Sequence, residues 1–574
     1  MPIDYSLKEK TEELLRLFED RFRVIKRNPN FSRIIYQLDK EGSIKLAKEL
    51  FGVGEHKAIG IDGSMIQEEA LEMLLFHVSA IGYSAPFVVN ENDIFFDFKR
   101  MKKEEELSVS SSIPLWLEDL PNVAITKSGL VDIAEAGSEI TFSIMLMSEL
   151  WIALRAIEEG AKIVFMDRPI SGAYQTLSRE VRRFLMHMEN TALEELFGKE
   201  VKGYVFLLLL LGPKGSHVPK RRPYLLHQAV DKIKDEPKGV SELASLLDLD
   251  DTGLKRLMKR ITEFENRYGV FDLGYNYVGL KIKDYREKAS RYAKELVNKL
   301  FWGKGHPFRV GDKWLTTPEI NTINFILLQE ILELVKERKA LLIGIAKDTN
   351  TSEYTRSVLP LLIDLNVVDG SLKPRVKHDR VYLTMVSSGN MDVAVPPWRC
   401  LGYDACFATL VKDEVSESYK AARKVVSRER LFVRGYFQSR ASEVYRSPIF
   451  FYDRPYIDEF DSEHLTEVEF EERGGKSKAK VYLETKPNPL DNLILHILSI
   501  SDNPEVFEAY GHNMLLYMAD KAVKAESELA KGLLKGLVSL KLTPLARRER
   551  LFSIIRRFRE TRSEMEQARR EVKS

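Results

Sequence analysis

Two short apolar runs, each ending on an aspartate, constrain this chain more than any other feature. "AIGIDGSM" (58–65) alternates apolar and small residues before it delivers Asp62 and Gly63, and "AKIVFMDRP" (161–169) stays apolar up to Asp167. Runs of this length, bounded by turn residues, read as buried strands. Between them lie strand-like stretches in "MLLFHVSAIGYSA" and "DIFFDFKRM", then a helical pattern over 140–159. Strand, hairpin, helix, strand is the opening of a mixed α/β sheet. Neighbouring parallel strands line up their C-terminal ends at one sheet edge, where open α/β sheets build their sites. Asp62 and Asp167 are therefore either ordinary turn aspartates or two parts of one centre.

The intervening helix offers a third carboxylate. Glu149 is the only charge between Glu139 and Arg155, in "FSIMLMSELWIALRAI", which is apolar on nearly every side. An unpaired buried carboxylate costs on the order of several kcal/mol unless it is paired, protonated or bound to a metal. Arg155 and Lys162 are candidate partners; convergence on the two aspartates is the alternative. Three carboxylates without a Cys/His set favour Mg2+ or Mn2+, hard ions that prefer oxygen. Two such ions, roughly 3.5–4 Å apart, suit hydrolysis of a phosphodiester. A GxxxxGK[ST] phosphate loop is absent from the sequence, so a nuclease without its own motor is the natural reading. Cys400 and Cys406 have no second pair to complete a zinc site and read as small apolar residues.

At 574 residues the chain exceeds one ordinary core. Lys plus Arg (87) and Asp plus Glu (86) nearly cancel, so net charge alone names no polyanionic partner. Residues 1–50 read as a helical region and 51–175 as the first part of an α/β core. In 176–315, "SELASLLDLDDTGLKRLMKRITEF" (241–264) gives two short helices joined by a tight turn. A helix precedes it and "YGVFDLGYNYVGLKI" (268–282) follows as a wing, so 224–282 reads as a winged helix, an insertion that could be excised. The core resumes over 316–535 with the helix "EINTINFILLQEILELVKERK" (319–339) and the strand "ALLIGIAKD". Residues 536–574 form a basic C-terminal helix. That helix and "PKRRP" (219–223) could contact phosphates. The longest apolar run, "YVFLLLLLG" (204–212), is too short to cross a bilayer as a helix, and the N-terminus does not read as a signal peptide. A soluble, cytoplasmic protein is expected.

Taken in order, "IDGS" (61–64), the helix carrying Glu149, "FMDRP" (165–169), "LIGIAKDT" (342–349) and "MLLYMADKA" (514–522) resemble the NurA family. These are archaeal and bacterial nucleases of DNA end resection with an RNase H-like core. The resemblance covers roughly 55–175 and 320–530. It implies that Asp62, Glu149 and Asp167 bind metal and act in catalysis, and that Lys347 lies near the substrate phosphate. Family members tend to carry a tyrosine and, eight residues later, a histidine. The resemblance puts His512 at the tyrosine position, as a further catalytic residue, and Asp520 at the histidine position, as a metal ligand. Arg168 follows the second aspartate where a glycine is usual.

The resemblance further implies a metal-dependent deoxyribonuclease, a single-stranded endonuclease and 5′-end exonuclease using two Mn2+ or Mg2+ ions. It would act in DNA end processing and double-strand break repair, as a homodimer, with a HerA-type hexameric ATPase that feeds it DNA. The expected fold is an RNase H-like mixed sheet with flanking helices, interrupted by a helical insertion. Two rivals remain: a catalytically weakened scaffold that holds DNA or the ATPase, and a winged-helix transcriptional regulator.

Overall fold

The computed structural model describes residues 8–17, 29–70, 73–124, 133–212, 224–347, 349–372, 376–413, 417–421, 432–442, 445–472, 475–503, 506, 510–538 and 540. "PKRRP" and nearly all of the basic stretch 536–574 lie outside them.

The elements that build the main sheet and its flanks are β1 (Ile35–Gln37), α1 (Lys40–Phe51), β2 (Gly54–Ala70), β3 (Met73–Val89), β4 (Ile94–Phe96) and β5 (Lys102–Trp116). They continue with α2 (Ile133–Glu158), β6 (Ile163–Met166), α3 (Ile170–His187), α4 (Thr317–Glu337) and β7 (Leu341–Ala346). The last are β8 (Trp398–Cys400), β9 (Phe432–Gln438), β10 (Phe450–Pro455), α5 (Pro489–Ile500) and α6 (Met514–Leu537). The strand order is β1-β8-β9-β10-β7-β6-β2-β3-β4, with β5 also on β3. β6 runs parallel to both β2 and β7, whereas β2–β3, β7–β10 and β9–β10 are antiparallel. The protein is thus a mixed α/β structure around one large mixed sheet.

Side chains alternate across a strand, and here the alternation sorts two cores. Ile59 and Ile61 of β2 and Val164 and Met166 of β6 are buried together with the apolar faces of α2, α3 and α4. The intervening residues Ala58, Ile163, Phe165 and Ile343 pack on the opposite face, against α1, α5 and the first turn of α6. α6 then runs along the β2–β3 hairpin: Leu515 lies at Gly60, Ser527 meets Ser79, and Lys531 and Lys535 reach Glu68.

One local reading changes. The stretch 5–50 contributes a strand as well as helices, because Ile35–Gln37 pairs with Trp398–Cys400 at the far end of the sheet. "YVFLLLLLG" is helical over Val201–Leu211 and buried almost throughout. Between 224 and 282, helices Leu225–Ile233, Val240–Leu246 and Asp251–Tyr268 are followed by a hairpin, Phe271–Leu273 with Tyr277–Leu280. Lys238–Gly239 adds a third strand to that hairpin. Leu226, Val230, Leu257 and Ile261 belong to the same buried cluster as α2 and α4. By length and composition alone, Ala136–Glu158 is apolar enough to cross a membrane, but 83% of that window is buried inside the fold. Cys400 and Cys406 are buried free thiols.

Candidate metal centre

The register fixes where the two strand-borne aspartates lie. Ile61 stands opposite Met166, and Met166 opposite Gly344. Asp62 and Asp167 each come one residue later, and Asp167 N–H donates to the Ile61 carbonyl at 3.3 Å. By the two-residue alternation both belong to the face of Gly60, Ile163 and Phe165, the face covered by α6. A Cβ at Gly60 would collide with Leu515 of α6, so the helix sits directly on the strand there. Asp520, a little over one helical turn beyond Leu515, thereby comes to the same sheet edge.

The electrostatics show the convergence. Burial pushes the Asp62 carboxyl up to about 8, and the negative charges of Asp167, Glu149 and Asp520 push in the same direction. Against this stands one hydrogen bond, from Gly63 N–H at 2.9 Å. No cation pairs with Asp62 among the described residues. Asp167 is also raised, first by burial, while Lys347 lowers it and Asp520 raises it. Lys347 Nζ lies 3.5 Å from Asp167 Oδ2. Asp520 makes the i,i+4 pair with Lys524 at 2.7 Å, its side chain 18% exposed.

His512 sits just before α6, 7% exposed, with its ring stacked on Phe450 at 5.6 Å. Neither ring nitrogen has a hydrogen-bond partner among the described residues. Burial brings its pKa down to about 3, with Lys347 lowering it further and Asp520 opposing. The imidazole is neutral at ordinary pH, the form that binds a metal or accepts a hydrogen bond. Gly511 before it has φ +74°, and a side chain there would strike Ser447, so glycine permits the turn that delivers the ring.

Glu149 comes from the opposite face. It is 3% exposed, and its Oε1 lies where a Cβ on residue 63 would be, so the glycine of "IDGS" is what lets α2 bring a carboxylate against β2. Its partner is neither Arg155 nor Lys162. Arg155 pairs with Glu158 and Glu159, and Lys162 donates to the Arg338 carbonyl. Arg168 takes Glu149 instead: Nη2 donates to Oε1 at 2.6 Å and Nε stands 2.5 Å from Oε2. Burial raises the Glu149 carboxyl, and Arg168 pulls it back.

A supporting network escaped the sequence reading. Asp453 of β10 is fully buried and accepts from Ile170 N–H at 3.0 Å, from Ser171 N–H at 2.8 Å and from the Ser171 hydroxyl. It caps the start of α3 and so fixes the 167–169 turn. Arg434 donates to the Ser171 Oγ and pairs with Glu353. The one signal was an acid interrupting the apolar strand "IFFYDRP".

Among the described residues no three His, Cys, Asp or Glu side chains are already gathered into a metal cage. The donor set on the α6 face nevertheless suits one hard divalent ion. Asp62 lacks a cation, Asp167 and Asp520 are held by flexible lysines, and His512 offers unbonded nitrogens.

Among solved structures, the chain is similar to the NurA nuclease from Sulfolobus solfataricus, at 10% identity over 94% of this chain and 98% of that one, TM-score 0.39. It is similar to NurA with manganese at 12% identity over 93% and 98%, TM-score 0.38. The corresponding values for NurA bound to dAMP and manganese are 11%, 94% and 98%, TM-score 0.34. No protein-family model matches the chain, and no curated protein matches it.

Proposed function

We propose that this protein is a metal-dependent deoxyribonuclease with an RNase H-like core. The observation that carries the reading is the convergence of Asp62, Asp167 and Asp520 at one sheet edge, with Asp62 buried among carboxylates and no cation. A bound Mn2+ or Mg2+ would supply Lewis acidity and an ionised water to the phosphodiester. Asp62, Asp167 and Asp520 would hold the ion, and Glu149 keeps Arg168 in place beside them. The Lys347 ammonium, 37% exposed, is placed to receive the phosphate once it leaves Asp167. His512, neutral and hydrophobically clamped, orients water by accepting its hydrogen bond or phosphate by donating its one ring N–H.

In the same reading the substrate is single-stranded DNA or DNA ends, the context is end processing and repair, and a HerA-type ATPase feeds a homodimer in the cytoplasm. The domain division is also part of the proposal: 1–50, a core over 51–175 and 316–535, an insertion over 176–315, and 536–574. The three helices and three short strands of 224–282 support a winged helix that grips DNA or the ATPase.

The test is release of nucleotides from end-labelled single-stranded DNA with Mn2+, Mg2+ or chelator. Cleavage that needs the ion and vanishes in folded Asp62→Ala and Asp167→Ala proteins is expected; cleavage that persists in chelator refutes the reading. A weakened scaffold is the second reading, favoured by the lysine on Asp167 and the arginine on Glu149. It predicts metal-independent DNA binding without turnover.

A further inference from the structure

Four acidic side chains meet at this centre, yet they are not equivalent. Asp62, Asp167 and Asp520 share the α6 face. Glu149 approaches through the gap left by Gly63 from the α2 face, where both its oxygens lie against the Arg168 guanidinium. That guanidinium is held on two sides. It faces the carboxylate at 2.5–2.6 Å, and its Cζ lies 5.1 Å from the centre of the Phe142 ring, about two helical turns before Glu149. Its own main chain is pinned, because the Arg168 carbonyl packs on Gly344, where a Cβ would approach it to 2.5 Å. Asp453 fixes Ile170 and Ser171, two and three residues further on. A largely buried planar guanidinium that donates from Nη2 to Glu149 and lies against an aromatic ring does not move aside as a lysine on a flexible stem can.

We propose that Arg168 is a built-in cation standing in for one of the two metal ions, so that the centre takes a single divalent ion. The inference rests on the metal-dependent reading above. Glu149 cannot serve a second ion while both its oxygens face a fixed positive charge. A dication brought to the same carboxylate would repel the guanidinium at close range in a poorly screened interior. The contrast with Lys347 and Lys524 supports this: the first is a half-buried and the second an exposed ammonium on its aspartate, each on a flexible stem that reaches solvent. Neither blocks a ligand in the way Arg168 does.

The experiment counts Mn2+ bound to the metal-free full-length chain, by isothermal titration and by electron paramagnetic resonance of free Mn2+, with no cleavage readout. One ion per chain is expected for the wild type, and two for Arg168→Ala, where the released Glu149 is a buried carboxylate in need of a cation. The double variant Arg168→Ala/Glu149→Gln, which removes both charges together, is expected to return to one. Two ions on the wild type, or one on a folded Arg168→Ala, overturns the inference and leaves the metal-dependent reading intact. If Arg168→Ala does not fold, the wild-type count and the double variant decide, one ion on each supporting the inference and two on either overturning it. No Mn2+ on the wild type overturns the proposed function and this inference with it.

Discussion

Asp62 sits among like charges, and its folded-state pKa of about 8 lies above the unfolded value. The unfolded chain therefore ionises this group first, and the stability lost to it grows as pH rises from about 4 towards 8. Asp62→Asn removes that loss. In chelator at pH 7.5 the variant is expected to be more stable than the wild type by roughly 1–3 kcal/mol, read from thermal melts, with Mn2+ closing the gap and cleavage lost. An Asn variant no more stable than the wild type in chelator contradicts the electrostatic account. Glu149→Gln should behave oppositely. The amide preserves packing but strips Arg168 of its counter-charge, at about 3 kcal/mol and a lower melting temperature. Asp520→Asn is expected to weaken Mn2+ affinity, with Asp520→His retaining part of it; unchanged affinity would leave only the surface pair with Lys524. Both strand aspartates were legible because period-two patterning and a terminal acid are local properties. The Glu149 partner was not: two nearby cations looked equally eligible, and the close approach of α2 at Gly63 brought the carboxylate to a third.

Single helices here depend on side chains far away in sequence. α3 begins without a side-chain cap of its own, and its first amides are satisfied by Asp453, more than 280 residues later. Asp453→Ala is expected to cost about 2 kcal/mol or more, since it orphans buried N–H groups and leaves Arg434 underpaired. It should also lower cleavage by loosening the turn that carries Asp167, so an unperturbed melt would refute the cap. α5 and α1 meet through His496, whose Nδ1 is 2.5 Å from the Ser43 hydroxyl. Burial brings that imidazole down to about 4, below the unfolded value of 6.5. Its contribution is complete above pH 6.5 and is lost as pH falls from there through 4, by up to roughly 3 kcal/mol. His496→Gln should flatten acid unfolding over that window. Elements were read most faithfully where periodicity was strong, as in α4. β2 was read as ending at 62, yet it runs to Ala70 through "GSMIQEEA" because β3 supplies partners along its whole length. Cross-strand pairing outweighed local propensity there.

At the scale of the molecule, the segment 224–282 looks removable in sequence but is woven into packing. Phe264 and Tyr268 pack with tilted rings against Phe206 of the helix Val201–Leu211, and the Tyr268 hydroxyl donates to the Leu185 carbonyl of α3. Replacing it with a short linker is expected to expose that apolar helix and give aggregated or molten protein, seen by dye binding and gel filtration. A monodisperse, cooperatively melting deletion would show an independent module. The patterning of the segment is local, whereas the apolar surface it covers belongs to residues before and after it, and nothing in its own sequence reports them. The route of the chain has a last consequence, in time. Asp62 and Asp520 are separated by 458 residues, and α6 is what closes the face on which Asp62 lies. Synthesis at roughly 5–20 residues per second puts about 20–90 s between them. Throughout that interval a ribosome-bound chain carries half a centre, so whatever chemistry the centre supports waits until α6 has been made.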